Sequence, residues 1–214
     1  MRLPRRSLHT GEVVHRMFRR LGPDHRPRGP WYFSSSGTAD SGRFDLPAPS
    51  GTCYFATSAV GAWLEVFGNV ALVDAADVRR RSLAHATRSG AALPLVDLAS
   101  PRAASLGISL DVVSGSDYAT SQSLAHQAFS EGADGVRALL RRDPSGTSHN
   151  IALFGRAGAP SRQFGWRVVR SDPWRSAELL TTLASIGVHV AEVPHDLPVT
   201  PPPTHPPPPP LRRS

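Results

Sequence analysis

Between Gly42 and Phe67 the chain reads GRFDLPAPSGTCYFATSAVGAWLEVF, in which Arg43, Tyr54 and Glu65 stand apart in an otherwise small and apolar stretch. A guanidinium holds phosphate by charge-assisted, bidentate hydrogen bonds. A carboxylate can hold sugar hydroxyls or face a developing cation, and an aromatic ring can pack on a planar group. Each residue also has an ordinary reading: Arg43 as a solvated loop residue, Tyr54 as core packing, and Glu65 as a solvent-facing carboxylate. On a helix starting at Ser58, residues Ala59, Trp63, Val66 and Phe67 share one face, and Ser58, Gly61 and Glu65 another. In the functional reading that small second face, cleared by Gly61, lines a cleft with Glu65 as its charge. Arg16 adds a fourth candidate. It interrupts the apolar-leaning strand EVVHRMFR (Glu12 to Arg19), where a half-buried guanidinium needs an anionic partner.

The elements that must position these residues follow from pattern and punctuation. GTCYFAT is a β-type run after the PAPSG turn, and SAVGAWLEVFG is a helix with Ser58 as N-cap and Gly68 as stop. PWYFSSSG, NVALVDA, ALPLVDL, WRVVRS and GVHVAEV read as strands, and AELLTTLASI as a helix between the last two. Leu124, Ala125, Ala128 and Phe129 give a helical spacing closed by Gly132. GVRALLRR and HNIALFG flank DPSG, whose order of residues suits a tight turn, so they form a hairpin. Strands outnumber helices in an irregular order, which indicates an α+β fold rather than a doubly wound sheet.

The 214 residues suffice for one domain with a substantial core, and 40% apolar with 19% charged residues suits a globular chain. Residues 1–10 are expected to be a flexible N-terminus, residues 11–195 the domain, and 196–214 a disordered Pro-rich tail able to adopt polyproline II. The formal charge is +7, yet every basic residue is Arg and none is Lys, a compositional bias that weakens the charge as a sign of nucleic-acid binding. No apolar run approaches the ~20 residues a spanning helix requires. The lone Cys53 has no partner for an internal disulfide, no His/Cys cluster has zinc spacing, and the expectation is a cytoplasmic protein without a metal. Nucleophile-elbow, P-loop, HExxH and dinucleotide-binding glycine motifs are all missing.

VVHRMFR, YFSSSG, GRF, GTCYFATSAVGAWLEVF and YATSQSLAHQAFSEGADGVRALL followed by HNIALF together resemble the RES domain, a family named for its Arg, Glu and Ser. The resemblance runs from about Gly11 to Phe154, and the ordered set Arg43, Tyr54, Glu65 is its most specific part. It implies a split β-sheet core with flanking helices, similar to ADP-ribosyltransferases. The family implies a toxin, paired with a cognate antitoxin of helix-turn-helix type, that consumes NAD as substrate by hydrolysis or phosphorolysis of the nicotinamide–ribose bond. Inorganic phosphate is then a co-substrate. Some relatives transfer ADP-ribose to a protein instead. Carried over by position, Glu65 is the family Glu, Arg16 and Arg43 the pair that grips pyrophosphate or attacking phosphate, and Tyr54 the aromatic beside the nicotinamide ribose. One departure stands out: the family Ser falls on Leu140, which cannot donate a hydrogen bond. Ser145 and Ser148, or the run Ser34 to Ser36, are then the sources of a substitute hydroxyl, and a degenerate domain that binds without turnover is the alternative reading.

Overall fold

The computed structural model describes residues 3–194 apart from 23–24, 38–40, 69, 110–111, 113–114, 116–117, 144 and 161–162. The expected Pro-rich tail lies outside the described residues. An eight-stranded sheet forms the frame. Its strands are β1 (Arg5–Leu8), β2 (Val13–Arg19), β3 (Ser50–Ala56), β5 (Arg81–Arg88), β6 (Leu93–Asp97), β7 (Gly135–Leu139), β8 (His149–Arg156) and β9 (Trp166–Ser171), in the spatial order β1-β6-β7-β8-β3-β2-β5-β9. A short parallel pair, β4 (Leu72–Asp74) with β10 (His189–Ala191), lies outside it. Helices α1 (Ala59–Phe67), α2 (Ala75–Arg79), α3 (Pro101–Ser105), α4 (Ala119–Ser130) and α5 (Ala177–Ser185) complete the α+β arrangement expected from the sequence.

The sheet is split. β3 pairs with β8 over seven residues, Ser50 to Ala56, and β2 pairs with β5 along its whole length, but β2 and β3 share one register pair, His15 with Ala56. Further up β3, the polar run takes over the edge that β2 leaves: Ser34 and Thr52 exchange backbone hydrogen bonds of 2.9 and 2.8 Å. This is what PWYFSSSG contributes. Phe33, Ser34 and Ser35 make isolated bridges rather than the expected strand.

Alternation along the strands sorts the core. Tyr54 and Ala56 face α1 and α4, whereas Cys53 and Phe55 point to the opposite side. Under α1, Trp63 is fully buried among Met17, Leu83, Leu140 and Leu183. On the other side Val14, Phe55, Ala86 and Ile151 pack together, with Trp31 and Trp166 against them. Ser58 caps α1 as expected, its hydroxyl accepting from Gly61 N at 2.9 Å, and Gly68 ends the helix in a left-handed conformation (φ 66°).

Two expectations are corrected. Residues 1–10 are not loose throughout, because Arg5–Leu8 pair antiparallel with β6, Leu3 and Leu8 are buried, and Arg5 meets Glu131 at 3.2 Å. β5 also escaped the pattern reading. Its inward positions are Leu83, Ala84 and Ala86, too small and too mixed with Arg, His and Thr to read as a strand, yet it is central, held between β2 and β9.

Candidate functional site

Gly42, Arg43, Phe44, Tyr54, Glu65, Tyr118, Leu139, Arg141, Arg142 and Asn150 line an open cleft of about 230 Å³ beside the N-terminal end of β8. A second cavity of about 210 Å³ lies along the split between β2 and β3, lined by His15, Arg16, Phe55 and Val66 among others, and Tyr54 and Glu65 belong to both. The carboxylate predicted to do the chemistry therefore stands where a basic cleft meets a more apolar slot.

Arg43 is held by its neighbours. Asp45, fully buried, accepts from Gly42 N at 2.7 Å, from the Tyr54 hydroxyl at 2.7 Å and from the Ser34 hydroxyl at 3.1 Å. The Tyr54 hydroxyl in turn accepts from Phe44 N at 2.8 Å, and the Gln122 side-chain amide donates to Gly42 O at 3.0 Å. Residue 42 must be glycine, since a Cβ there would come within 2.5 Å of the Tyr54 oxygen. The Arg43 guanidinium lies 4.8 Å from the Tyr118 ring centre, and its buried Nη1 has no hydrogen-bond partner. Burial lowers its pKa, Tyr118 works against that, and Arg141 adds to it. Burial, followed by the charge of Asp45, pushes the Tyr54 phenol well above its ordinary value, so it remains a neutral donor to Asp45.

Glu65 is open to the cleft on one side, where water reaches it, and is surrounded by protein on the others, which solvate it poorly. Desolvation raises its pKa above 4.5, opposed by a hydrogen bond from Asn150 and by the charges of Arg142 and Arg43. Asn150 is buried on β8, and with its amide donating to Glu65 its Oδ1 is left without a partner. The cleft thus offers one carboxylate, three guanidinium groups, an unsatisfied donor and an unsatisfied acceptor.

The sequence candidates separate. Arg43, Tyr54 and Glu65 come together. Arg16 lies elsewhere: it is on the Cys53 and Phe55 side of the sheet, its guanidinium bonded to Cys53 Sγ and, at 3.4 Å, to Tyr32 O, so it borders the slot and not the cleft that holds Arg43. Ser145 builds the β7–β8 turn, with its hydroxyl 2.6 Å from Asp143 Oδ1 and 2.7 Å from Thr147 Oγ1. Ser148 is buried and bonds Ser58 Oγ at 2.8 Å at the start of α1. Neither lines the cleft, and Leu140 belongs to the core beneath α1. Gly61 likewise clears no cleft. It lets α1 approach Ala56 and Ser148, which a Cβ would meet at 3.1 and 3.2 Å.

Asp45, Tyr118, Asn150, Arg141 and Arg142 were not singled out from the sequence. The available signals were Asp45 within GRFD, Asn150 within HNIALF, and the Arg141–Arg142 doublet just after a strand.

The one β2–β3 register pair carries a titratable group. His15 Nδ1 lies 3.1 Å from His85 Nδ1, and His85 Nε2 lies 2.8 Å from Ser171 Oγ. One imidazole must accept from the other, so both cannot be protonated. Desolvation and then His85 lower the His15 pKa from 6.5 to about 4. Between those values the unfolded chain binds more protons than the folded one, so stability falls as pH drops below 6.5. Urea unfolding at about pH 7.5 and about pH 5.5 is expected to show a loss of about 1 kcal/mol after allowance for solvent screening, reduced in His15→Gln. Equal stability at both values would show that the pair does not resist protonation.

A model of the RES domain matches residues 14–175, well over half of the chain. A search of curated proteins gave no match. Among solved structures the fold is similar to a chain of the M. tuberculosis MbcT-MbcA toxin-antitoxin complex, with a TM-score of 0.54 and 19% identity, covering 81% of this chain and 91% of that one. With the match across residues 14–175, this chain belongs to the RES domain family.

Proposed function

We propose that the protein is a toxin that cleaves NAD at the nicotinamide–ribose bond. The observation that carries this reading is the position of Glu65 at the junction of the basic cleft and the β2–β3 slot. A substrate with an anionic pyrophosphate at one end and a flat ring at the other suits that pair of cavities, with Arg43, Arg141 and Arg142 taking the phosphates. The slot, bounded by Phe55 and Val66, takes the nicotinamide. Glu65 and the unpartnered Oδ1 of Asn150 are two acceptors lining the same cleft, which suits a ribose diol.

The chemistry then needs little from titratable groups. The C–N bond breaks with its electron pair going to the pyridinium nitrogen, so nicotinamide leaves neutral and no general acid is required. Positive charge develops on the ribose, and a poorly solvated carboxylate stabilises it more than it stabilises the ground state. Water gives ADP-ribose and a proton; phosphate gives ADP-ribose phosphorylated at the anomeric carbon that nicotinamide left. Loss of the family Ser at position 140 does not remove a group from the cleft, because that position is core and Asn150 donates to Glu65.

The likeness to a chain of a toxin-antitoxin complex supports a cognate antitoxin, of helix-turn-helix type by the family resemblance, that covers the cleft in the cytoplasm. Nicotinamide release from NAD by the purified protein, with and without inorganic phosphate, tests the reading. Release that needs phosphate marks phosphorolysis. A labelled protein acceptor in place of free ADP-ribose marks transfer to protein. NAD binding without any release sinks the enzymatic reading and leaves a binding domain.

A further inference from the structure

At the far end of β2 a concavity of about 570 Å³ opens between β2, β5 and α2, sharing no lining residue with the cleft. Five arginines border it, Arg19, Arg20, Arg79, Arg80 and Arg81, against one carboxylate, Asp77. The nearby acids are engaged. Asp77 meets Arg80 at 3.1 Å, Asp172 meets Arg20 at 3.0 Å, and Glu192 holds Arg79 with an Nη2–Oε2 distance of 2.6 Å. Arg19 and Arg81 remain without a carboxylate partner among the described residues.

These two sit directly opposite each other in the β2–β5 register. Like charges in that relation destabilise a sheet. Arg81 is also partly buried, its Nε has no hydrogen-bond partner, and its guanidinium is held over the Phe67 ring at 5.0 Å. Burial and then the charge of Arg19 lower its pKa, and the charge of Asp77, itself bonded to Arg80, opposes them only in part. The Phe67 ring accounts for Arg81, but no described contact accounts for a second guanidinium, that of the exposed Arg19, directly opposite it.

We infer that this concavity is a second anion site, in which Arg19 and Arg81 together hold a phosphate group of a small molecule. Paired guanidiniums match phosphate geometry, and the volume falls in the range of small-molecule sites, about 300–1,000 Å³, rather than that of a flat nucleic-acid footprint. Leu21 and the arginine stems give the walls apolar surface against which a nucleoside could lie. The phosphate belongs either to a nucleotide or to free inorganic phosphate.

The test uses the full chain carrying Arg43→Ala and Arg141→Ala, so that binding in the NAD cleft is suppressed, and calorimetric titration with ATP and, separately, inorganic phosphate. Saturable binding of either is expected, weakened at least tenfold by Arg19→Gln or Arg81→Gln. Binding of ATP alone identifies a nucleotide site, and equal binding of phosphate identifies a free-anion site. Arg19 is exposed, so its substitution leaves the core packing in place. In phosphate-free buffer Arg19→Gln is expected to raise the melting temperature, since it removes the repulsion, and ATP is expected to raise that temperature in the protein with Arg19 only. Absence of saturable binding, binding unchanged by either Gln substitution, or binding of single-stranded DNA with no response to ATP or phosphate overturns the inference. None of these outcomes depends on NAD cleavage.

Discussion

Glu65→Gln is expected to reduce kcat for nicotinamide release by about 10²–10³-fold or more while leaving KM within a few fold. Removal of one preorganised group facing developing charge costs a factor of that size in other enzymes, and here the group is charged and poorly solvated. Gln is isosteric and its carbonyl still accepts from Asn150, so the loss reports charge rather than shape. The pH profile supplies an independent reading. Only the ionised carboxylate stabilises a cation, and desolvation raises the Glu65 pKa above 4.5, so the acid limb of kcat should lie above the ordinary carboxylate range and vanish with the substitution. Steady-state assay of both proteins decides it. A variant within threefold of the parent would remove Glu65 from the reaction.

Asp45→Ala is expected to lower unfolding free energy by about 3 kcal/mol, with a fall in melting temperature of about 6–12 °C. The carboxylate is wholly buried, and its loss strands Gly42 N and the Tyr54 hydroxyl and leaves the Ser34 hydroxyl only a 3.3 Å bond to Thr52 O. The same change frees the loop that carries Arg43, so NAD cleavage should fall as well, at a temperature where the variant remains folded. Asp45→Asn keeps one acceptor oxygen and should lose about half as much stability. Calorimetry of the three proteins measures this, and a melting temperature for Asp45→Ala within 2 °C of the parent would show that the network carries little of the fold.

The part of the site that could be read from the sequence is the part written on short segments. Arg43, Tyr54 and Glu65 lie within one stretch that turn, strand and helix signals divide correctly; the family resemblance singles them out as a set, and the fold brings them to one cleft. What could not be read depends on tertiary approach. Asp45 looks like any loop carboxylate until β3 brings Tyr54 to it, and Asn150 becomes part of the site only because β8 pairs with β3 in a register that sets Tyr54 opposite Ala152. The pairing of Arg16 with Arg43 comes from the family resemblance; the strand pattern indicates only that Arg16 needs an anionic partner. Strand alternation turns it to the other face, and nothing within EVVHRMFR says which face the cleft is on. Ser145 shows the reverse error, a turn-forming residue considered for a site. β1 and β5 were missed because small or mixed residues satisfy a strand whose neighbours supply the bulk.

The narrow seam between β2 and β3 does not divide the chain into two pieces that could be made separately. β1, β3, β6, β7 and β8 lie on one side of it and β2, β5 and β9 on the other, so the polypeptide crosses it repeatedly. Pairings such as Arg5 with Val96 close long loops before they gain any contact. Only β6, β7 and β8 with α4 form a contiguous stretch on one side; the other pairings are non-local, which places folding in the slower range, milliseconds to seconds. A newly synthesised chain acquires the full cleft only after β8 has emerged, so a shorter chain carries Glu65 without the strand that supplies Asn150.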